Sequence, residues 1–179
     1  MEIYMIRHTT PDIKKGICYG QSEIPLSATF PQEATPVLRN LPKDIAIIYT
    51  SPLSRCLRLA ELLSKEISAH VKTDNRLLEI NFGEWEKKPW NKIEHNLLQR
   101  WMNDYVNERC PGGESYADLA SRVTIFLTEL KSVTKTRVAV ISHHGVMKAA
   151  YAFFYGVDLT EAMKRQFNFG EISKFQLSN

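Results

Sequence analysis

Cysteine is scarce in this sequence. Only Cys18, Cys56 and Cys110 occur among 179 residues. Their odd number and the lack of any Cys-x-x-Cys pair argue against a disulfide framework and against a structural zinc site. A reducing, cytoplasmic setting is expected. Long hydrophobic runs are missing too, so no stretch reaches the roughly 20 apolar residues of a membrane span. Residues 1–6 are apolar but short, with no basic leader and no small-residue cleavage site, and they do not read as a signal peptide. Charge of one sign does not accumulate: 23 Lys+Arg and 20 Asp+Glu are spread along the chain, and a net charge of +3 gives no nucleic-acid footprint. Internal repeats and low-complexity tracts are absent. What is present is a 44% hydrophobic chain, long enough to enclose a core as one domain over residues 1–179.

Periodicity divides the chain into alternating strands and helices, the pattern of an α/β fold. Residues 2–6 predict a central strand ending at Arg7-His8. A mobile loop follows over residues 10–27, anchored at Cys18-Tyr19 and Ile24-Pro25-Leu26, and then an irregular helix over 29–41. Asp44 to Thr50 predicts a second buried strand. Ser51-Pro52 should cap and open a helix to Ser68, with Arg55 in its first turn. A short strand is expected at 70–73. Residues 89–109 carry Trp90, Ile93, Leu97, Leu98, Trp101 and Tyr105 at helical spacing, and a small helical lid is expected around 84–115. Ser115-Tyr-Ala-Asp118 resembles a capping box for a helix through Leu130. Arg137 to Ser142 is the third strong strand, followed by a helix starting after Gly145 and an edge strand at 174–177.

Three strong strands thus end at Arg7-His8, at Ser51 to Arg55 and at His143, and ligands of open α/β sheets gather beyond such carboxyl ends. If the strands are parallel neighbours, two imidazoles and two guanidiniums converge, a cluster that calls for an anion. A phosphate dianion suits the forked donors of Arg7 and Arg55, helped by the dipole of the helix opening at Pro52. Phosphoryl transfer without metal needs a nucleophile, and either His8 or His143 qualifies, since an imidazole held among cations stays neutral. The proton donor is expected at Glu79, with Glu84 and Glu86 as rivals. Neither a metal nor a cofactor is called for, because no carboxylate or thiolate stands at the usual ligand spacing from the histidines.

In order along the chain, Arg7-His8-Thr9, Ser51-Pro-Leu-Ser-Arg55, Leu78-Glu79 to Glu86, Pro111-Gly-Gly-Glu-Ser115 and Ser142-His143 resemble the motifs of the histidine phosphatase superfamily, also called phosphoglycerate mutase-like. The resemblance implies a three-layer α/β/α sandwich with a mostly parallel sheet. It further implies that His8 is phosphorylated, that Arg7, Arg55 and His143 grip the phosphoryl oxygens, and that Glu79 serves as acid and then as base. Gly16 to Leu26 is similar to the loop of α-ribazole phosphatases, which act on α-ribazole 5′-phosphate in cobalamin nucleotide-loop assembly. That likeness suggests Tyr19 and Gln21 as substrate contacts, with Trp85, Trp90 and Trp101 as stacking surface. His144, Leu59 and Lys87 depart from the family pattern, where Gly, Thr and Gly are frequent. The expected partner is a small phosphorylated metabolite, with no nucleic acid and no membrane. The rival readings are a broad-specificity phosphatase, a mutase-like phosphotransferase and a module that binds phosphorylated proteins without turning them over.

Overall fold

The structure, a computed structural model, describes residues 1–133 and 137–177. At its centre lies a sheet of β1 (Glu2–Arg7), β2 (Ile47–Thr50), β3 (His70–Thr73), β4 (Val138–Ser142) and β5 (Ile172–Gln176), in the order β3-β2-β4-β1-β5. The first four strands run parallel, and β5 closes the edge antiparallel to β1. The helices are α1 (Phe30–Asn40), α2 (Ser54–Ile67), α3 (His95–Asn103), α4 (Tyr116–Val133), α5 (His144–Tyr155) and α6 (Leu159–Ala162).

The period-two alternation of side chains along a strand splits the core in two. Ile3 and Met5 of β1 pack with Leu119, Val123 and Leu127 of α4 and with Met147 of α5. Tyr4 and Ile6 point the other way, onto Val37 of α1 and Leu59 and Leu63 of α2. A strand covered on both faces has no polar side to show, which is why all five residues of β4, Val-Ala-Val-Ile-Ser, are buried. The result is the expected α/β/α sandwich. Truncating one of these buried leucines, as in Leu127→Ala, removes apolar contacts worth about 2–5 kcal/mol.

Register sets the ends of the strands level. Arg7 stands opposite Ser142 and Thr50 opposite Ile141. The ladder then continues one rung further: His8 N–H donates to the Ser142 carbonyl at 3.0 Å, and Ser51 N–H donates to that of Ile141 at 3.0 Å. His8, Ser51 and His143 therefore emerge side by side.

Several elements differ from the sequence expectation, each for a tertiary reason. Helix α2 starts at Ser54 rather than Pro52, with Leu53 at the cap position and no side-chain cap from Ser51. The cap comes instead from the loop, where Glu23 accepts from Ser54 N–H at 3.2 Å and from its hydroxyl at 2.6 Å. The helix expected over 89–109 is divided into a 3₁₀ turn at Trp90–Lys92 and α3, because the Glu94 carboxylate accepts from the N–H groups of Asn96 and Leu97 and opens a new helix. Helix α5 begins at His144, ahead of Gly145, with His143 at its cap position. The Ser115 capping box forms as expected, with Ser115 N–H on Asp118 Oδ2 at 2.8 Å and Asp118 N–H on Ser115 Oγ at 3.2 Å.

The loop over 10–27, expected to be mobile, is pinned along much of its length. Asp12 N–H donates to Pro25 O, Ser27 N–H to Thr10 O, Cys18 N–H to Lys88 O, and Lys87 N–H back to Cys18 O. The two expected anchors hold, since Cys18 and Ile24 are buried. Lys87 takes a left-handed backbone with φ of 64°, a conformation that glycine adopts without steric cost. Gly20 lies so close to the 79–82 segment that a Cβ there would meet Ile80 O at 1.9 Å.

Candidate active site

Beyond the level strand ends lies a cleft of about 190 Å³ whose polar wall is Arg7, His8, Arg55, Glu79, His143 and His144. Its apolar wall is Ile17, Tyr19, Ile80, Phe82, Trp90 and Tyr116. A wider groove of about 700 Å³ between residues 25–31 and α2 carries Arg58, Glu61 and Lys65 but none of these groups, so the candidate residues converge on the smaller cavity.

The rings of His8 and His143 meet edge-on, their centroids 5.1 Å apart at 64°. His8 lies 2.6 Å through Nδ1 from the carbonyl of Thr9. A carbonyl can only accept, so Nδ1 carries the proton and the neutral ring keeps its lone pair on Nε2. Burial holds the His8 pKa well below its ordinary 6.5, reinforced by Arg55, Arg7 and His144. His143 is likewise held well below that value, first by burial and then by Arg55 and His8. Its Nε2 pairs with Ser51 Oγ at 2.8 Å, with Cys56 Sγ at 3.4 Å behind it. Both imidazoles are thus neutral among cations.

The guanidinium of Arg55 is fully buried. It donates through Nη1 to Ser22 O at 2.8 Å and through Nη2 to Gly20 O. Arg7 donates to Phe167 O at 2.6 Å and lies 3.8 Å from the centroid of the Phe169 ring. Among the described residues neither arginine is ion-paired with a carboxylate. Two desolvated cations held by carbonyls and a ring make a seat whose charge is best matched by a dianion with several acceptor oxygens. The expected helix dipole is not part of that seat, because Glu23 already occupies the N-terminus of α2.

Geometry separates the three carboxylates. Glu79 alone of them lines the cleft, with Oε1 accepting from Ile80 N–H at 3.0 Å and Oε2 from Gly145 N–H at 3.1 Å. Glu86 is consumed by the loop: it accepts from the N–H groups of Gly20, Gln21, Ser22 and Phe82 and from Ser22 Oγ. These donors hold its carboxyl below the usual range against the opposing effect of burial. Glu84 is exposed.

Gln21, expected at the substrate, does not line the cleft; its Nε2 donates to the Glu79 carbonyl at 3.0 Å. Tyr19 does line it, with Arg55 Cζ 5.6 Å from its ring centroid. Of the three tryptophans only Trp90 reaches the cleft. Trp85 is buried, and Trp101 packs behind with Tyr105 and Tyr116. His144 both lines the cleft and serves packing, with Nε2 accepting from Phe167 N–H at 3.4 Å. Burial, with Lys148 and Arg7 nearby, pushes its pKa down to about 3.

Sequence reasoning missed Arg122. This α4 arginine donates to the carbonyls of Arg76, Leu78 and Glu79 at 2.7–3.0 Å while forking onto Glu114 at 2.9 and 3.0 Å. Glu114 in turn accepts from Asn81 N–H at 2.9 Å. The available signal was Glu114 within the Pro111-Gly-Gly-Glu-Ser115 motif, whose carboxylate calls for a cationic partner. Among the described residues no three His, Cys, Asp or Glu side chains group as a metal site, and no helix is long and apolar enough to cross a membrane.

A family model described as the histidine phosphatase superfamily (branch 1) matches residues 3–179. The chain is 30% identical over 153 residues to an Escherichia coli protein named "Probable phosphoglycerate mutase GpmB", covering 82% of this chain and 70% of that one. In structure it is similar to an α-ribazole phosphatase from Shigella flexneri, with a TM-score of 0.89, 23% identity and coverage of 99% and 91% of the two chains. It is also similar to a mycobacterial glucosyl-3-phosphoglycerate phosphatase, with a TM-score of 0.87, 21% identity and coverage of 97% and 88%.

Proposed function

The chain belongs to the histidine phosphatase superfamily, branch 1, and on that footing we propose that it hydrolyses a small phosphate monoester through a phosphohistidine on His8. The observation that carries the reading is the meeting of the buried Arg55 guanidinium, the half-buried Arg7 guanidinium and two neutral imidazoles in one cleft, with Glu79 as the carboxylate that faces them. Arg7, Arg55 and His143 hold the phosphoryl oxygens and offset the charge that spreads over them during transfer. Nε2 of His8 attacks phosphorus in line, the bond to the alcohol oxygen breaks, and protonated Glu79 gives that oxygen its proton. Water then enters, Glu79 takes a proton from it as it attacks phosphorus, the P–N bond breaks, and inorganic phosphate leaves. His8 and protonated Glu79 are restored. Segment 84–115, which brings Trp90 to the cleft, acts as the lid of a single domain.

The finer reading names the ester as α-ribazole 5′-phosphate. It is supported by the likeness of Gly16 to Leu26 to the loop of such enzymes and by the aromatic wall of the cleft. The alternatives are broad specificity and phosphotransfer to an alcohol, and adding competing alcohols to the assay distinguishes transfer from hydrolysis. The reading as a whole is tested by His8→Ala, which should abolish turnover and leave no acid-labile phosphate on the protein. A fully active alanine variant overturns it.

A further inference from the structure

We propose that Phe169 is a positioning residue for the phosphoryl seat: its ring fixes the plane of the Arg7 guanidinium while leaving that group's donors free for phosphoryl oxygens. The inference deepens the phosphohistidine reading and rests on the anion seat which that reading assigns to Arg7.

Phe169 has no part in the core. It packs in neither half of it, above or below the sheet, and it remains 36% exposed. Apolar burial therefore does not account for where it stands. Its place is set by the backbone. Asn168 O accepts from Glu171 N–H at 3.1 Å, and the Glu171 carboxylate accepts from Asn168 N–H at 2.7 Å, closing a turn with Phe169 at its tip. Gly170 N–H donates to the carbonyls of Arg7 at 3.1 Å and His8 at 3.2 Å, and Arg7 N–H donates to Glu171 O at 3.1 Å. The turn is thus fastened to the end of β1, and it lays the centroid of the Phe169 ring 3.8 Å from Cζ of Arg7.

The two arginines of the seat are held differently. Both terminal nitrogens of Arg55 donate to carbonyls, those of Ser22 and Gly20. Arg7 makes a single side-chain hydrogen bond among the described residues, Nη1 to Phe167 O at 2.6 Å, and its buried Nε has no protein partner there. One bond alone lets a guanidinium pivot. A second carbonyl would stop that rotation at the expense of a donor, whereas a ring face stops it through a cation–π contact and uses none. With one face covered and Nη1 engaged, the edge carrying Nε and Nη2 remains to fork onto two oxygens of one phosphoryl group.

The rival role for the ring is to cover His8, since their centroids lie 5.5 Å apart at 45°. The test separates the two by measuring the Kd of inorganic phosphate by calorimetry and kcat/KM for p-nitrophenyl phosphate. Phe169→Leu, which keeps apolar bulk and removes the π face, should weaken phosphate binding by about tenfold, while Phe169→Tyr, which keeps the face, should stay within about twofold of the wild type. Melting temperature should move little in either variant, because the ring lies outside the core. In an Arg7→Gln background, Phe169→Leu should leave kcat/KM unchanged, because no guanidinium remains to be positioned. A loss as large there as in the wild type would show the ring acting on His8 and overturn the inference. A folded Phe169→Leu protein with wild-type phosphate affinity and wild-type kcat/KM also overturns it, while leaving the phosphohistidine reading standing. A wild type that binds phosphate with this dependence on the ring, yet releases none from any ester, would instead sink that reading and leave the seat.

Discussion

The carboxylate of Glu79 rests on the backbone N–H of Gly145, with Oε2 at 3.1 Å and Oε1 at 3.2 Å. The contact joins the acid-bearing segment to the first turn of α5, the same turn that follows His143. It requires glycine, because any Cβ at 145 would meet Oε1 at 2.4 Å.

Gly145→Ala should therefore displace Glu79 by about an ångström while the histidines stay in place. A misplacement of that size costs about 100-fold in rate. Turnover of alkyl phosphates is expected to fall accordingly, with thermal stability changed far less. Rates measured beside a melting curve check this, and an alanine variant with wild-type activity would remove Glu79 from the reaction.

Glu79→Gln should slow hydrolysis of alkyl phosphates by about 10²- to 10⁴-fold, the usual range for loss of a general acid. The loss should be smaller for p-nitrophenyl phosphate, whose leaving group departs without a proton. Exposed Glu84→Gln should be close to wild type. Glu86→Gln is expected to act through the loop, lowering stability, because four backbone N–H groups converge on that carboxylate. Equal kinetic losses at 79 and 84 would contradict the assignment.

Arg122 acts as a positioning residue, since it holds the carbonyl of Glu79 at 3.0 Å together with those of Arg76 and Leu78. Lysine cannot reproduce the fork. Arg122→Lys should lower kcat by about tenfold at little change in KM, from a slight shift of the acid. It should also steepen the dependence of rate on leaving-group pKa. That steepening is the diagnostic readout, and a variant that lost only stability would show no such change.

Stability should fall on the acid side of pH 6.5. His8, His143 and His144 are all held below that ordinary value in the folded chain. Above 6.5 neither state takes up a proton on these rings, and their contribution is complete. Below 6.5 the unfolded chain binds protons that the folded one refuses, so stability is lost progressively, for His144 down to about 3. Each ring contributes a slope of about 1.4 kcal/mol per pH unit. Melting temperature should hold level from pH 8 to 7 and drop from 6.5 to 5, and His144→Asn should lessen the slope. A flat profile to pH 5 would count against neutral buried rings.

Lys87 should be improvable. Its φ of 64° is a left-handed conformation costing roughly 1–2 kcal/mol for a residue with a Cβ. Lys87→Gly removes that cost, less the extra freedom glycine gives the unfolded chain, for a net gain of about 0.5–1 kcal/mol. The gain corresponds to about 1–4 °C in melting temperature, and a lower melting temperature would show that the lysine side chain contributes more than its backbone costs.

The sequence by itself determined the sheet and its cationic edge. Apolar runs such as Ile3 to Ile6 and Val138 to Ile141 have no polar face, so they must lie between two helix layers, and the residues that end them must emerge together. His8, Arg55 and His143 were legible for that reason. Tertiary structure alone decided which carboxylate faces them, because Glu79, Glu84 and Glu86 lie in one short segment of similar composition and differ only in which N–H groups come to meet them. It also decided that Glu23 rather than Ser51 caps α2, that Gln21 turns to the Glu79 carbonyl, and that Trp90 rather than Trp85 or Trp101 reaches the cleft. Periodicity records which face of an element is apolar. Side-chain partners drawn from distant loops leave no periodic trace, and they are fixed only when hydrogen-bonding groups from separate parts of the chain compete for the same donors.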